Sequence, residues 1–278
     1  MRRDKRALCV LGALCAVFAF AGCNVDFDPS NEVHGLRVLA VRGEPPTVAL
    51  GGATAIDALA VTPDDGPIAF SWELCADTLG EGDLRLCPEE AVLASGAGEV
   101  FAFTYTAAVA ARVAPYCDPA AVSSGQSPDG AQLLPCSSQG FPATVRLVAA
   151  GEGEEIVSVK TVYLELPQGQ GATPEPNQNP IIGEMSGAPD VIAPGGAGTA
   201  SCTVDEASVE TVAEADGGLA DEEITTHWFI AGGSLKKDVG TEVEFRADEG
   251  AARETLWCVV QDGRGGVDFE RRDVPVEH

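Results

Sequence analysis

What constrains this chain most is a series of short segments in which apolar and polar residues alternate strictly. ITTHWFI puts Ile224, Thr226, Trp228 and Ile230 on one face, with His227 and Phe229 on the other. TEVEFRA turns Val243 and Phe245 one way and Glu242, Glu244 and Arg246 the other. TASCTV aligns Ala200, Cys202 and Val204, and TLWCVVQ aligns Leu256, Cys258 and Val260. A period of two is that of a pleated strand with one buried face, and Gly- and Asp-rich stretches between the segments supply turns. No stretch here carries the apolar stripe of a helix, so residues 181–278 are predicted to form a β-sandwich.

Residues 34–166 show the same habit. IAFSWELC aligns Ile68, Phe70, Trp72 and Leu74, and EVFAFTYTA aligns Phe101, Phe103 and Tyr105. ATVRLVAAGEGEEIVSVKTVYLEL reads as two strands around an acidic Gly-rich turn, and Pro45 and Pro46 mark an edge or bend. Trp72 and Trp228 both fall on inward faces and are expected in the cores. Between the halves, PQGQGATPEPNQNP at 167–180 has no apolar periodicity and reads as a linker. Both halves are of ordinary domain size.

Cys202, Trp228 and Cys258 follow one another on inward parity. This order resembles an immunoglobulin-like domain, which implies Cys202 on strand B, Trp228 on strand C and Cys258 on strand F. The resemblance further implies a Cys202–Cys258 bridge between the sheets, packed on the indole. NQNPII at 177–182 is similar to the first strand of bacterial PKD-like and cadherin-like repeats, and QDGRGGVDF at 261–269 to their last hairpin. LRVLAVRGEPPTVALGGATAIDALAV resembles the first two strands of the same class. The expected fold is therefore all-β, with two immunoglobulin-like β-sandwich domains in tandem.

The N-terminus sets the compartment. A basic head, Met-Arg-Arg-Asp-Lys-Arg, precedes the uncharged residues 7–21 and a small-residue end, as in a secretory signal peptide. The apolar run is short for a permanent span. FAGC at 20–23 resembles a bacterial lipobox, which implies cleavage before Cys23 and acylation of that cysteine by chains such as palmitate. More than one chain gives stable membrane attachment. Asn24 rather than Asp follows the cysteine, which by the same resemblance favours the outer over the inner membrane. Residues 1–22 are thus expected to be a lipoprotein signal peptide and 23–33 an acidic tether.

Charge and cysteine usage fit that compartment. With 17 Lys and Arg against 43 Asp and Glu, the formal charge is −26. Such a surface repels nucleic acid and anionic head groups, leaving the lipid to hold the membrane. Cys9 and Cys15 lie in the signal peptide, and six cysteines remain after Cys23, an even number that implies disulfides in an exported chain. In the first half, the pairings Cys75–Cys87 with Cys117–Cys136, Cys75–Cys117 with Cys87–Cys136, and Cys75–Cys136 with Cys87–Cys117 are all open; short closures favour the adjacent one.

Chemistry is sparse. The histidines are His34, His227 and His278 alone, and there is no P-loop, H-E-x-x-H or G-x-S-x-G pattern. The expectation is a non-catalytic module of the cell envelope whose partner is an envelope protein or a glycan. Two binding sites are candidates. Asp205, Asp216, Asp221 and Glu222 lie around a Gly-Gly turn and could hold calcium through oxygen ligands. Trp257, expected to face outward beside Val259, would serve as a stacking platform for a sugar in an adhesin or carbohydrate-binding subunit.

Overall fold

Strands form where the alternation runs. The computed structural model describes residues 30–76, 86–117, 140–165, 177–213 and 218–277. The signal peptide, Cys23, Cys136, Asp216 and residues 166–176 lie outside them, as do the expectations placed on them. The first half contributes β1 (Arg37–Glu44), β2 (Thr47–Val48), β3 (Ala53–Val61), β4 (Ala69–Cys75), β5 (Val92–Ala97), β6 (Val100–Thr104), a helix α1 (Ala107–Val113), β7 (Phe141–Gly151) and β8 (Glu154–Leu164). One sheet has the order β1-β3-β6 and the other β2-β8-β7-β4-β5, antiparallel except for β2 on β8. The second half contributes β9 (Ile182–Ser186), β10 (Ala197–Val204), β11 (Thr211–Ala213), β12 (Leu219–Asp221), β13 (Ile224–Ala231), β14 (Ser234–Leu235), β15 (Glu242–Arg246), β16 (Arg253–Asp262) and β17 (Val267–Pro275). Its sheets have the orders β13-β16-β17 and β14-β15-β10-β9, and β11 and β12 form a hairpin.

The helix α1 was not expected from the sequence. It is an Ala-rich turn pair whose N-terminus is capped by Thr106, the side chain of which accepts a hydrogen bond from the Val109 N–H. Ala110 and Val113 are its buried residues.

Each half has its own core, and each core is built around a tryptophan. In the second, the bridge Cys202–Cys258 joins β10 to β16 across the two sheets, with Trp228 directly opposite Cys258 on the neighbouring strand. The Trp228 Nε1–H donates to the Gly240 carbonyl at 2.8 Å. In the first, Trp72 donates to the Gly98 carbonyl at 2.8 Å and stands opposite Leu147. Leu147 therefore fills the place that Cys258 fills beside Trp228, and apolar packing replaces the covalent cross-link. Cys75 is bridged to Cys87, the adjacent pairing, and Cys117 is disulfide-bonded.

The two sandwiches do not stand apart as beads on a linker. Residues 31–278 cluster as one compact unit. The face of β13-β16-β17 that points away from its own core carries Phe229, Ala231, Trp257, Val259, Val267 and Phe269, and these pack with Leu39, Ala40, Leu59 and Val61 of β1 and β3. Trp257 is 1% exposed. The outward stacking platform expected for Trp257 is thus corrected: its parity is as read, but the first sandwich covers that face. Arg271 lies 5.9 Å from the centre of the indole.

At their described ends, the expected tether and linker are held against the sandwiches. Asn31–Val33 run parallel to β13, with the Val33 N–H donating to the Ile230 carbonyl at 2.8 Å and the Ile230 N–H to the Asn31 carbonyl at 2.9 Å. Val33 is buried with Trp257. At the other connection, Asn177 and Asn179 of the expected linker are buried rather than solvated.

Candidate functional site: the junction between the sandwiches

The polar chemistry of the described residues concentrates where the sandwiches meet. Arg42 on β1 grips Asp57 with two donors, Nε at 3.1 Å and Nη2 at 2.7 Å, and reaches Asp268 on β17 with Nη1 at 2.7 Å. Its guanidinium lies 4.6 Å from the centre of the Phe269 ring. The hydrogen bond to Asp57, above all, raises the Arg42 pKa further from its ordinary value. The other oxygen of Asp268 accepts from the Ile182 N–H at 2.9 Å, so one carboxylate ties β1, β9 and β17 together.

Asn179 closes the same seam. Its Nδ2 donates to the Gly43 carbonyl at 2.8 Å and to Glu44 Oε2 at 2.6 Å, and its Oδ1 accepts from the Val267 N–H at 2.9 Å. At the outer rim, Asp65 from the first sandwich takes both Arg271 and Arg253 from the second. The Arg271 hydrogen bond is the main reason that the Asp65 carboxyl is held below its usual range.

Asp262 organises the loop that faces this seam. Its Oδ1 accepts from the Arg264 N–H at 2.8 Å and the Gly266 N–H at 2.7 Å, while Oδ2 accepts from Asn177 Nδ2 at 2.9 Å. Position 266 must be glycine, because a Cβ there would collide with the Asp262 carboxylate and the Gln178 carbonyl. The loop forms one wall of a cavity of ≈ 380 Å³, which is also lined by Thr225, Glu223, Gln261 and, from the first sandwich, Lys160. A second cavity, ≈ 240 Å³, lies beside Arg42, Asn179 and Asp268.

Of the acidic residues singled out in the sequence, the described ones have separate partners. Asp205 caps a short helical turn, accepting from the Ala207 N–H at 3.0 Å. Asp221 accepts from Thr211 Oγ1 at 3.1 Å on the β11–β12 hairpin. Glu222 is buried: Oε1 accepts from the Glu210 N–H at 3.1 Å and Oε2 lies 3.8 Å from Arg264. Burial pushes its carboxyl up from the usual range. Asp216 lies outside the described residues, and among those described no three acidic, histidine or cysteine side chains are grouped as metal ligands. Nor does any described helix have the length and apolarity to cross a membrane.

The residues of the junction escaped the sequence reading because each looks ordinary in its own strand. Arg42 and Asp268 are 226 positions apart, and only the docking of the two sandwiches brings them together. The one local signal was Asp-Gly-Arg-Gly-Gly at 262–266, where three glycines flank a carboxylate that can turn back on its own loop.

Two sheets bridged by Cys202–Cys258 over Trp228, and a second pair of sheets around Trp72, define a chain of two immunoglobulin-like β-sandwiches. No family model matches the chain, and no curated protein does. Solved structures, a tandem immunoglobulin module among them, overlap it weakly. The N-terminal Ig1-2 module of the Drosophila receptor protein tyrosine phosphatase DLAR is 12% identical, with 88% of this chain and 100% of that chain covered and a TM-score of 0.28. Dimeric latent PorU from Porphyromonas gingivalis is 12% identical over 88% of this chain and 24% of that one, with a TM-score of 0.25. Murine CEACAM1b is 10% identical over 86% and 100%, with a TM-score of 0.23. At these scores the overlaps add nothing to what the geometry establishes.

Proposed function

We propose that this protein is a non-catalytic lipoprotein of the cell envelope, anchored through Cys23, in which two immunoglobulin-like sandwiches act together as one rigid binding or structural module. The observation that carries the reading is the sealed face between the sandwiches, with Trp257 at its centre. A chain evolved for catalysis holds strongly shifted groups in a cleft. Of the shifted groups, Arg42, Asp65, Arg271 and Asp273 are consumed in ion pairs at the seam and its rim, Glu254 holds loops and Glu222 lies beside Arg264, while Lys160 borders the cavity with Asp262 as its nearby charge. The signal-like residues 1–22 and the FAGC sequence support export and acylation, and Asn24 supports the outer membrane as destination. The partner is an envelope protein or glycan, met by surfaces that the module holds at a fixed mutual angle.

The test is metabolic labelling with radioactive palmitate followed by membrane fractionation. The wild-type chain should incorporate label, begin at Cys23 and sediment with the envelope. Cys23→Ser should lose the label. An unlabelled wild-type chain still beginning at Met1 would overturn the anchor.

A further inference from the structure

One strand edge of the first sandwich lacks the guards seen elsewhere in the molecule. β5 ends the sheet β2-β8-β7-β4-β5 and has a strand neighbour, β4, on one side only. Its sequence VLASGA holds no charged residue and no proline. Several other edges carry charge: Glu184 on β9, Lys236 directly after β14, and Asp268, Glu270, Arg271, Arg272 and Asp273 on β17. Charged side chains and prolines are how natural edges refuse a further strand.

The register identifies the open backbone groups. The Gly98 N–H donates to the Phe70 carbonyl at 3.1 Å, and the ladder continues through the pairs Ala97–Ser71, Gly96–Trp72, Ser95–Glu73 and Ala94–Leu74. Hydrogen-bonded and non-bonded pairs alternate along an antiparallel ladder. Gly96 and Ala94 therefore turn their N–H and C=O groups toward β4. Those of Ser95 and Ala97 point away from the sheet and have no partner among the described residues. Both side chains are small and exposed, so no bulk stands over these groups. The start of the same edge is in use: Arg112 Nη2 donates to the Glu90 carbonyl at 2.9 Å and to the Val92 carbonyl at 2.8 Å. A guanidinium is thus seated on outward carbonyls there, and the open stretch begins beyond Val92.

The flanks select the occupant. Glu89 and Glu90 precede β5 and Glu99 follows it, all exposed. Arg112 offsets one of the two acids at the start, so each end keeps a net negative charge. A second copy laid antiparallel about Ser95 would bring the Glu99 of each chain beside the Glu90 of the other, acid against acid at both ends. The formal charge of −26 opposes that approach over the whole surface. An extended segment with an uncharged, β-branched middle and basic residues at both ends meets the same edge with complementary charge.

We propose that β5 is a docking edge, which takes an extended, basic-ended segment of a partner protein as an added strand of its sheet. Main-chain hydrogen bonds to Ser95 and Ala97 hold the middle of the segment, and Glu89, Glu90 and Glu99 hold its ends. The proposal rests on the reading of the protein as a binding module and gives its protein partner a place.

The experiment is titration of the full-length protein, in detergent, with the peptide KRVTVTVRK, read by calorimetry and by hydrogen exchange of backbone amides. The peptide should bind with a Kd of ~0.1–1 mM. The peptides EEVTVTVEE and KRVTPTVRK should not bind, the first because of its charge and the second because its central proline interrupts the ladder. Exchange at the Ser95 and Ala97 N–H groups should slow on binding, whereas the Ala94 and Gly96 N–H groups are protected in the free protein as well. Ser95→Pro removes an N–H that the fold does not use and should lose about tenfold in affinity or more. Ala102→Pro, at an outward-pointing position of β6 on the opposite sheet, should bind as wild type. Thermal melts show that the variants fold, and exchange in the wild type decides the matter if Ser95→Pro does not. No binding of KRVTVTVRK, equal binding of either control peptide, unchanged exchange at Ser95 and Ala97, or wild-type binding by a folded Ser95→Pro each overturn the proposal. Dimerisation of the wild type that is lost in Ser95→Pro also overturns it, by giving the edge to a second copy. None of these outcomes touches the acylation of Cys23, so a failed docking edge and a failed envelope module are told apart.

Discussion

Glu254 has no exposed surface, yet it is a carboxylate at the start of a sandwich strand, the second residue of β16. Its Oε2 accepts from the Gly233 N–H at 2.5 Å and its Oε1 from the Asp248 N–H at 2.7 Å. The side chain thereby ties the turn after β13 to the turn after β15. Gly233 has to lack a side chain, since a Cβ would run into the Arg246 carbonyl. Burial pushes the Glu254 carboxyl up, outweighing the two N–H donors that pull it down. A raised folded-state value means that the folded chain holds this proton more tightly than the unfolded one. Its contribution to stability is therefore greatest at acid pH and declines as pH rises from the ordinary carboxylate range through the folded value. Glu254→Ala should orphan two buried N–H groups, cost about 2 kcal/mol or more at neutral pH, and flatten that decline. Urea denaturation across a pH series measures both; a variant as stable as wild type with an unchanged pH slope would contradict the assignment. Glu254 was not singled out in the sequence, although it falls on the same inward parity as Leu256, Cys258 and Val260.

At the scale of the element, β16 is packed on both of its faces. Residues Glu254 to Val260 are all buried. A strand buried on both faces reads as a continuous apolar run, and LWCVV is such a run. The sequence reading used its parity and placed Cys258 on the core side, where the disulfide is found. It then took the other side for solvent, although the unbroken apolar stretch was the sign of a second packed layer. Trp257→Ala should cost about 3–5 kcal/mol, the usual price of deleting a buried aromatic. Its effect should be more specific than loss of stability: in calorimetry the single unfolding transition of the wild type should split in two as the sandwiches uncouple. Arg271→Ala, at the exposed rim, should change stability by less than about 1 kcal/mol and leave one transition. A split in Arg271→Ala and none in Trp257→Ala would place the coupling in the ion pairs instead.

For the whole molecule, the two-sandwich organisation was legible, because each half carries its own tryptophan-centred alternation and its own turns. The docking was not, since it depends on the shapes of two faces that alternation leaves looking like surface. The Pro- and Gln-rich segment reads as a spacer by composition, yet its Asn177 and Asn179 are fixtures of the seam. A fragment beginning at residue 30 should therefore scatter X-rays as one compact particle, with a radius of gyration of about 18 Å for a chain of this length. The larger value of a two-bead rod would disprove the closed arrangement.

The strap of Asn31–Val33 along β13 gives this arrangement a mechanical meaning. Whatever holds the chain upstream of residue 31 is connected to the molecule at its waist, beside Trp257, and not at the tip of either sandwich. A pull on that stem is delivered to the edge of β13 and to Val33, which are themselves part of the contact between the halves. Wedging the halves apart would loosen the stem, and hauling on the stem would strain their contact.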